Sequence, residues 1–380
     1  MTQTASAQNQ TKGLEGVVVA QSSISFIDGK AGTLLYRGYN IGELSLEATY
    51  EEVAYLLWKG KLPNRSELDA WTSVLQSSSA LHPDIVRFIQ QFPKKGDPMA
   101  ALRTAVSLMG QYDPDEADNS PAANERKGVR ILSQIPSVIA AVKRTREGKE
   151  ILAPQKGLSV AGNFIYMLKG TDPTPLETKG MNAYLILLAD HELNASTFAA
   201  RVTVGTLSDL HSAIVSAIGT LKGPLHGAAN RWTMQMLLDI GKPERAGAYV
   251  KDIMDNKKKI MGFGHRVYKV RDPRANYLEP LADELTKAAG LHVYFEISRI
   301  VEAEVLKYKP LYVNVDFYSA TLLYAMGIPV DFFTTLFAAS RAAGWIAHCF
   351  EQYADNRLIR PDSEYIGQHN QTYVPIEKRS

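Results

Sequence analysis

The segment Gly262 to Ala275, GFGHRVYKVRDPRA, gathers residue types that could do chemistry on a small anion. It sets His265 between two glycines and a run of bases, and closes on Asp272-Pro273-Arg274. Histidine donates or relays a proton near neutral pH. Arginine grips a carboxylate through two parallel hydrogen bonds. Glycines let the backbone approach a ligand closely. The Asp-Pro-Arg turn aims Arg274 back toward the histidine, so the segment describes a site for an anionic substrate with a polarisable oxygen.

Four further segments supply other groups. In KGPLHGAAN, Pro224 and two glycines interrupt a helical region and place His226 at a new helix start. The partial positive charge of a helix N-terminus holds a nearby histidine neutral, ready to donate to a developing enolate. Taken alone, a histidine packed in a helix–helix turn explains this motif better. In VNVDFYSATLLYAMGIP, Asp316 stands in an apolar stretch, where its pKa would rise and make it a usable base for a carbon acid. A helix cap is the simpler role for Asp316, and Asn314 is equally a cap or turn residue. In FAASRAAGWIAHCFEQ, Arg341 is the only formal charge between Phe332 and Phe350, so its anionic partner is either a fixed carboxylate or a substrate. In LLADHELNASTF, His191-Glu192 fails as a zinc-protease helix because Ala195 stands where the second histidine is needed. His191, Asn194 and Ser196 remain as polar groups at a helix junction. Arg360, in NRLIRPDSEYIG, reads as a loop residue open to solvent.

These groups must be positioned mainly by helices. Val17 to Ile41 has short apolar runs around Asp28-Gly29 and reads as a hairpin. Thr49 to Gly60 is an amphipathic helix stopped by glycine. Gly128–Arg144, Lys179–Leu193, Ser196–Leu221, Leu281–Gly290, Tyr294–Tyr308 and Phe332–Phe350 read as helices too. Polar breaks fall at 112–128 and 154–157. Strand–helix alternation is absent, which excludes a doubly wound sheet. A central arginine makes 332–350 a buried helix rather than a membrane span.

The bulk composition narrows the function class. The chain has 380 residues, 45% of them apolar, enough for more than one domain. Lys+Arg 42 against Asp+Glu 40 leaves a net charge of +2, and no dense basic stripe points to nucleic acid. The single cysteine, Cys349, excludes a disulfide framework and a cysteine zinc cluster and fits a reducing cytoplasm. The polar N-terminus lacks the apolar core of a secretory signal, and no arginine precedes Arg37, against a mitochondrial leader. The first dozen residues read as a mobile tail. A Walker loop, a dinucleotide fingerprint and a hydrolase elbow are all missing.

GPLHG, GFGHRVY…DPR and NVDFYS, in that order, resemble citrate synthase, from about Val17 to about Gly367. The chain is most similar to the short bacterial and archaeal members, without room for the N-terminal domain of the long NADH-responsive ones. The resemblance implies an all-α, two-domain fold with a small N-terminal β-hairpin. Residues 1–227 plus 328–380 would form the large, dimerising domain, and 228–327 the small domain on the coenzyme A side of the cleft. It implies catalytic roles for His226, His265 and Asp316. Oxaloacetate would be bound by Arg274, Arg341 and His191, with Arg360 reaching in from the partner of an obligate homodimer or of a multiple such as a hexamer. Lys269 and Arg271 fall where coenzyme A phosphates are met. No metal and no cofactor are implied, acetyl-CoA being a substrate. Domain closure on oxaloacetate would keep water out, with Gly262, Gly264 and Gly327 as points of backbone freedom. The rival readings are a 2-methylcitrate synthase using propionyl-CoA and a catalytically silent assembly protein on the same fold. The terminal segments, 1–16 and 368–380, are available for assembly.

Overall fold

A computed structural model describes Lys12–Leu14 and residues 16–379; the N-terminal tail expected over the first dozen residues lies almost entirely outside this range. Strands β1 (Ser25–Asp28), β2 (Thr33–Tyr36) and β3 (Tyr39–Asn40) form one antiparallel sheet in the order β1-β2-β3. The expected hairpin therefore gains a third, two-residue strand, in which Tyr39 pairs with Tyr36. Asn40 then caps the first helix, its side chain accepting from Gly42 N.

The other regular elements of the described chain are mainly α-helices: α1 (Ile41–Glu47), α2 (Tyr50–Lys59), α3 (Arg65–Ser77), α4 (Pro83–Gln90), α5 (Pro98–Gln111), α6 (Pro121–Arg146), α7 (Val160–Lys169) and α8 (Pro175–Leu188). There follow α9 (Ala195–Gly205), α10 (Leu210–Leu221), α11 (Ala229–Ile240), α12 (Pro243–Asp255), α13 (Ala275–Ala288), α14 (Val293–Tyr308), α15 (Val315–Ala325) and α16 (Phe333–Ala354). The chain is thus nearly all-α, as expected. Local signals explain the boundaries. Thr49 and Glu52 form a capping box at the start of α2, and Gly60 ends it in the left-handed region. The polar stretch at 112–128 is only partly a connection, because Ser120 caps α6 and Pro121 occupies its first turn. The run 196–221, read as one helix, is two. Leu207 turns to φ +64 and Asp209 starts α10 by accepting from Ser212 N.

Helix α16 is the hub. It lies against α2, α5, α6, α8, α9, α10 and α11 and is buried from Phe333 to Cys349. Helices α11 to α15 pack chiefly on one another, with α13 also against α8. The β1–β2 turn touches the segment after His265, Lys269 N donating to Gly29 O at 2.8 Å.

At Gly344, α16 runs close to the end of α8, and its amide donates to Ala189 O at 3.0 Å. A Cβ there would stand 2.3 Å from Asp190 Oδ1 and 2.4 Å from Ala189 O. Overpacking of this kind costs about 1–3 kcal/mol or more. Gly344→Ala should therefore lower the melting temperature by several degrees. Gly247→Ala, in α12 with its nearest neighbour 4.0 Å away, should be neutral or stabilising. Equal melting temperatures for the two variants would refute the close approach.

Candidate active site

The loop bearing His265 and the helix bearing Asp316 are stitched into one body. Asn314 N donates to Gly262 O at 2.9 Å, Gly264 N to Tyr312 O at 2.8 Å, and Asp272 N to Val313 O at 3.2 Å. Asn314 Nδ2 donates to Gly264 O at 3.0 Å. Gly262 and Gly264 sit at φ +78 and +76, where a side chain is strained, so both glycines shape this turn. Asn314 is the helix cap, its Oδ1 accepting from Asp316 N at 3.0 Å. The capping role considered for Asp316 thus falls to Asn314, and the Asp316 carboxylate faces elsewhere.

Asp272, which the sequence marks only as part of a turn, holds Arg274. Its Oδ1 accepts from Arg274 N (3.0 Å) and Nε (2.9 Å). Its Oδ2 accepts from Arg274 Nη2 (2.7 Å) and from Val315 N (3.1 Å), the residue beside Asp316. Both side chains are buried. Burial alone would raise the Asp272 carboxyl, but the adjoining Arg274 guanidinium holds it below its ordinary value.

His265 Nδ1 accepts from the amides of Val267 (3.0 Å) and Tyr268 (3.2 Å). Backbone amides only donate, so the ring proton sits on Nε2. Burial, and then the Arg274 charge, push its pKa down to about 4, so the ring is a neutral donor. His191 packs edge-on to it with ring centroids 5.2 Å apart, and its Nε2 lies 3.3 Å from Tyr268 Oη. Burial and the surrounding cations hold His191 neutral as well.

His226 is fixed by Ser196, at the start of α9. Its Nε2 lies 2.8 Å from Ser196 Oγ and accepts from Ser196 N at 3.3 Å, so its proton is on Nδ1. Ser196 is held by Asn194 (Oγ to Oδ1, 2.8 Å) and by the Trp345 indole N–H (3.1 Å). The His226 pKa is pushed down to about 4, as the helix-start argument expects, but by burial and then the Arg341 charge. The ring lies in the turn before α11, which begins at Ala229.

Arg341 is buried on α16. Its Nε donates to Leu188 O at 2.6 Å, and among the described residues no carboxylate pairs with it. Burial, opposed by the charge of Asp190, leaves its pKa depressed to about 10. Of its two possible partners, a fixed carboxylate is felt only as the Asp190 charge, with no ion pair among the described residues. Asp316 completes the cluster. Its Oδ1 is buried with no hydrogen-bond partner, and burial pushes its pKa up to about 7 against the pull of Arg274 and Arg341. The Tyr184 hydroxyl, also unpartnered, senses the charges of both Asp316 and Arg341.

The remaining expected residues lie apart. Arg360 is exposed and pairs with Asp362 at 2.6 Å. Lys269 is exposed, with Nζ donating to Arg266 O at 3.2 Å. Arg271 is occupied by Glu279, Glu302 (Nε to Oε1, 3.0 Å) and Asn276, so a phosphate would have to displace these partners. A cavity of about 660 Å³ beside Tyr55, Trp71 and Val129 is lined by none of the converging groups.

The raised Asp316 pKa has a consequence for stability. The folded chain binds this proton more tightly than the unfolded chain, whose carboxyl titrates near 3.8. Ionised Asp316 therefore costs stability, increasingly as pH rises from about 4 to about 7, by a few kcal/mol at most. Asp316→Asn should melt above the parent at pH 8, with the gap narrowing at pH 5. An equal or lower melting temperature at pH 8 would refute the strained carboxylate.

The family model "Citrate synthase, C-terminal domain" matches residues 13–362. Citrate synthase 2 of Bacillus subtilis (strain 168) is 47% identical, over 97% of this chain and 99% of its own. 2-Methylcitrate synthase 1 of Corynebacterium glutamicum is 40% identical, over 97% of this chain and 98% of its own. Citrate synthase from the thermophilic archaeon Thermoplasma acidophilum, solved as a ternary complex with carboxymethyl coenzyme A and oxaloacetate, superposes with a TM-score of 0.92 at 34% identity, covering 97% of this chain and 99% of its own. With its motifs gathered into one largely buried cluster and relatives matching over nearly its whole length, the chain belongs to the citrate synthase family.

Proposed function

We propose that the cluster condenses acetyl-CoA with oxaloacetate, with Asp316 as base and two neutral histidines as hydrogen-bond donors. Citrate synthase is the activity that the family match and the full-length relatives support. The observation that carries the assignment of roles is the Asp316 carboxylate, buried and unpartnered at Oδ1, among neutral imidazoles and two buried arginines.

Asp316 takes a proton from the acetyl methyl group; its raised pKa matches the operating pH, where a base is most effective. His226 donates from Nδ1 to the enolate oxygen, a neutral donor held by Ser196. Oxaloacetate is gripped by Arg274, aligned by Asp272, and by Arg341, with His191 assisting. His265 donates from Nε2 to the oxaloacetate carbonyl and protonates it as the carbon–carbon bond forms. Citryl-CoA is then hydrolysed to citrate and CoA. The reading includes no cofactor; acetyl-CoA, oxaloacetate and water are the substrates.

We place the moving part at 228–327, the unit of α11 to α15, closing on the rest of the chain at 1–227 and 328–380. Closure excludes water before condensation. Arg360, exposed and paired only with the exposed Asp362, is supplied to the partner's site in a homodimer, which a hexamer would multiply. Lys269, which is exposed, meets a coenzyme A phosphate more freely than Arg271. The compartment proposed is the cytoplasm; no helix among the described residues is long and apolar enough to cross a membrane.

Thiol release from acetyl-CoA and from propionyl-CoA, each with oxaloacetate, tests the reading. A higher kcat/KM with acetyl-CoA is expected; preference for propionyl-CoA would move the product to 2-methylcitrate, and silence with both would overturn the enzyme. Asp316→Asn and Arg360→Ala should each lose at least about 100-fold in kcat/KM, a loss of ~3 kcal/mol. Hybrid dimers of the two variants should regain measurable turnover, because one of their two sites is intact. No recovery in subunits shown to have exchanged would contradict the shared arginine.

A further inference from the structure

Behind His191 lies a closed ring of buried side chains that the chemistry above does not use. Asp190 and His348 are wholly buried, and Arg201 nearly so. Arg201 Nη1 lies 3.2 Å from His348 Nδ1 and 2.7 Å from Glu351 Oε2. A guanidinium only donates, so His348 Nδ1 accepts and the ring proton sits on Nε2. That nitrogen faces Asp190, 3.3 Å from Oδ1 and 3.4 Å from Oδ2. Asp190 Oδ2 also accepts from Ser25 Oγ. Glu351 Oε1 accepts from Ser23 N at 2.9 Å. The ring thus leaves the N-terminal sheet edge at Ser23, crosses α16 and α9, and returns to β1 at Ser25.

The ring ends on the segment Asp190 to Asn194, whose first residue is Asp190 and whose Glu192 amide donates to Asp190 Oδ2 at 3.2 Å. Glu192 within it has φ +49, a conformation that a non-glycine residue holds only when its surroundings impose it. Glu192 N donates to Ser25 Oγ at 3.0 Å, and Ile27 N donates to Glu192 Oε1 at 2.7 Å. His191 precedes this residue, and Asn194, which orients Ser196 and so His226, follows it.

We propose that the Asp190–His348–Arg201–Glu351 ring is a positioning device for the oxaloacetate side of the site, fixing the strained segment that carries His191. His348 acts through Asp190 and touches no substrate. The inference rests on the reading of His191 as an oxaloacetate contact.

Steady-state kinetics of the full-length chain tests it, with KM for oxaloacetate and for acetyl-CoA measured separately. His348→Leu removes both ring contacts and should raise KM for oxaloacetate about tenfold while moving KM for acetyl-CoA less than about twofold. His348→Gln should stay within about twofold of the parent, since its amide can donate to Asp190 and its carbonyl can accept from Arg201. A lowered melting temperature with unchanged KM, or failure of glutamine to rescue, overturns the proposal. If His348→Leu does not fold, Ser25→Ala, which removes another partner of Asp190, decides it: a rise of about threefold in KM for oxaloacetate supports the ring, and none refutes it. His191→Ala separates the two readings. If that variant leaves KM for oxaloacetate unchanged, the role of His191 fails; if it raises KM but neither His348→Leu nor Ser25→Ala does, the ring alone fails.

Discussion

The buried ion pair between Asp272 and Arg274 is the contact on which the site depends. One carboxylate takes three hydrogen bonds from Arg274 and a fourth from Val315 N. Arg274 belongs to the turn after the His265 loop, and Val315 begins the helix that carries Asp316. Arg274, His265 and Asp316, the proposed substrate-binding arginine, proton donor and base, are therefore held to one another by a single side chain and the short ladder around Asn314. A buried pair of this sort need not add stability, because desolvating two charges offsets much of their attraction. What it supplies is alignment: Arg274 keeps one direction, and its charge remains beside the base.

The charges around that pair set the protonation states that the proposed mechanism needs. Two buried arginines without a full complement of carboxylates make proton uptake by His191, His226 and His265 unfavourable, on top of the cost of burial. Neutral imidazoles with assigned tautomers donate from known atoms, Nδ1 in His226 and Nε2 in His265. The same burial raises Asp316, and only the arginines restrain the rise. An incoming dicarboxylate would neutralise Arg274 and Arg341 and so strengthen the base at the moment it is required. Site chemistry and substrate binding are thus coupled by electrostatics.

Much of this was legible in the chain. Helix-dominated periodicity, the glycine stop at Gly60, and the histidines, arginines and aspartate of the motifs are all local signals. The relations between segments were not. Asp272 reads as a turn former because its partners Arg274 and Val315 become informative only once the 262–274 loop lies along 311–316. Ser196 sits 30 residues from His226, and nothing local links a hydroxyl at a helix start to that ring. The resemblance puts Arg271 where phosphates are met, but only the fold brings Glu279 and Glu302, from two other helices, onto its guanidinium. The break at Leu207 falls inside a run that reads as one helix, and the backbone, with Leu207 at φ +64, is what marks it. The ring through His348 joins residues from Ser23 to Glu351, a distance along the chain that no periodicity reports.

The pH dependence of kcat/KM for oxaloacetate in Asp272→Asn, beside the parent, tests the central claim most directly. Asp272 raises the Asp316 pKa while Arg274 lowers it, so removing the Asp272 charge leaves the arginine unopposed. The account predicts an acid limb centred near pH 7 in the parent, displaced to lower pH in the variant, together with a plateau reduced at least about tenfold as Arg274 loses its alignment. An acid limb and plateau both unchanged, in folded Asp272→Asn protein, would contradict it.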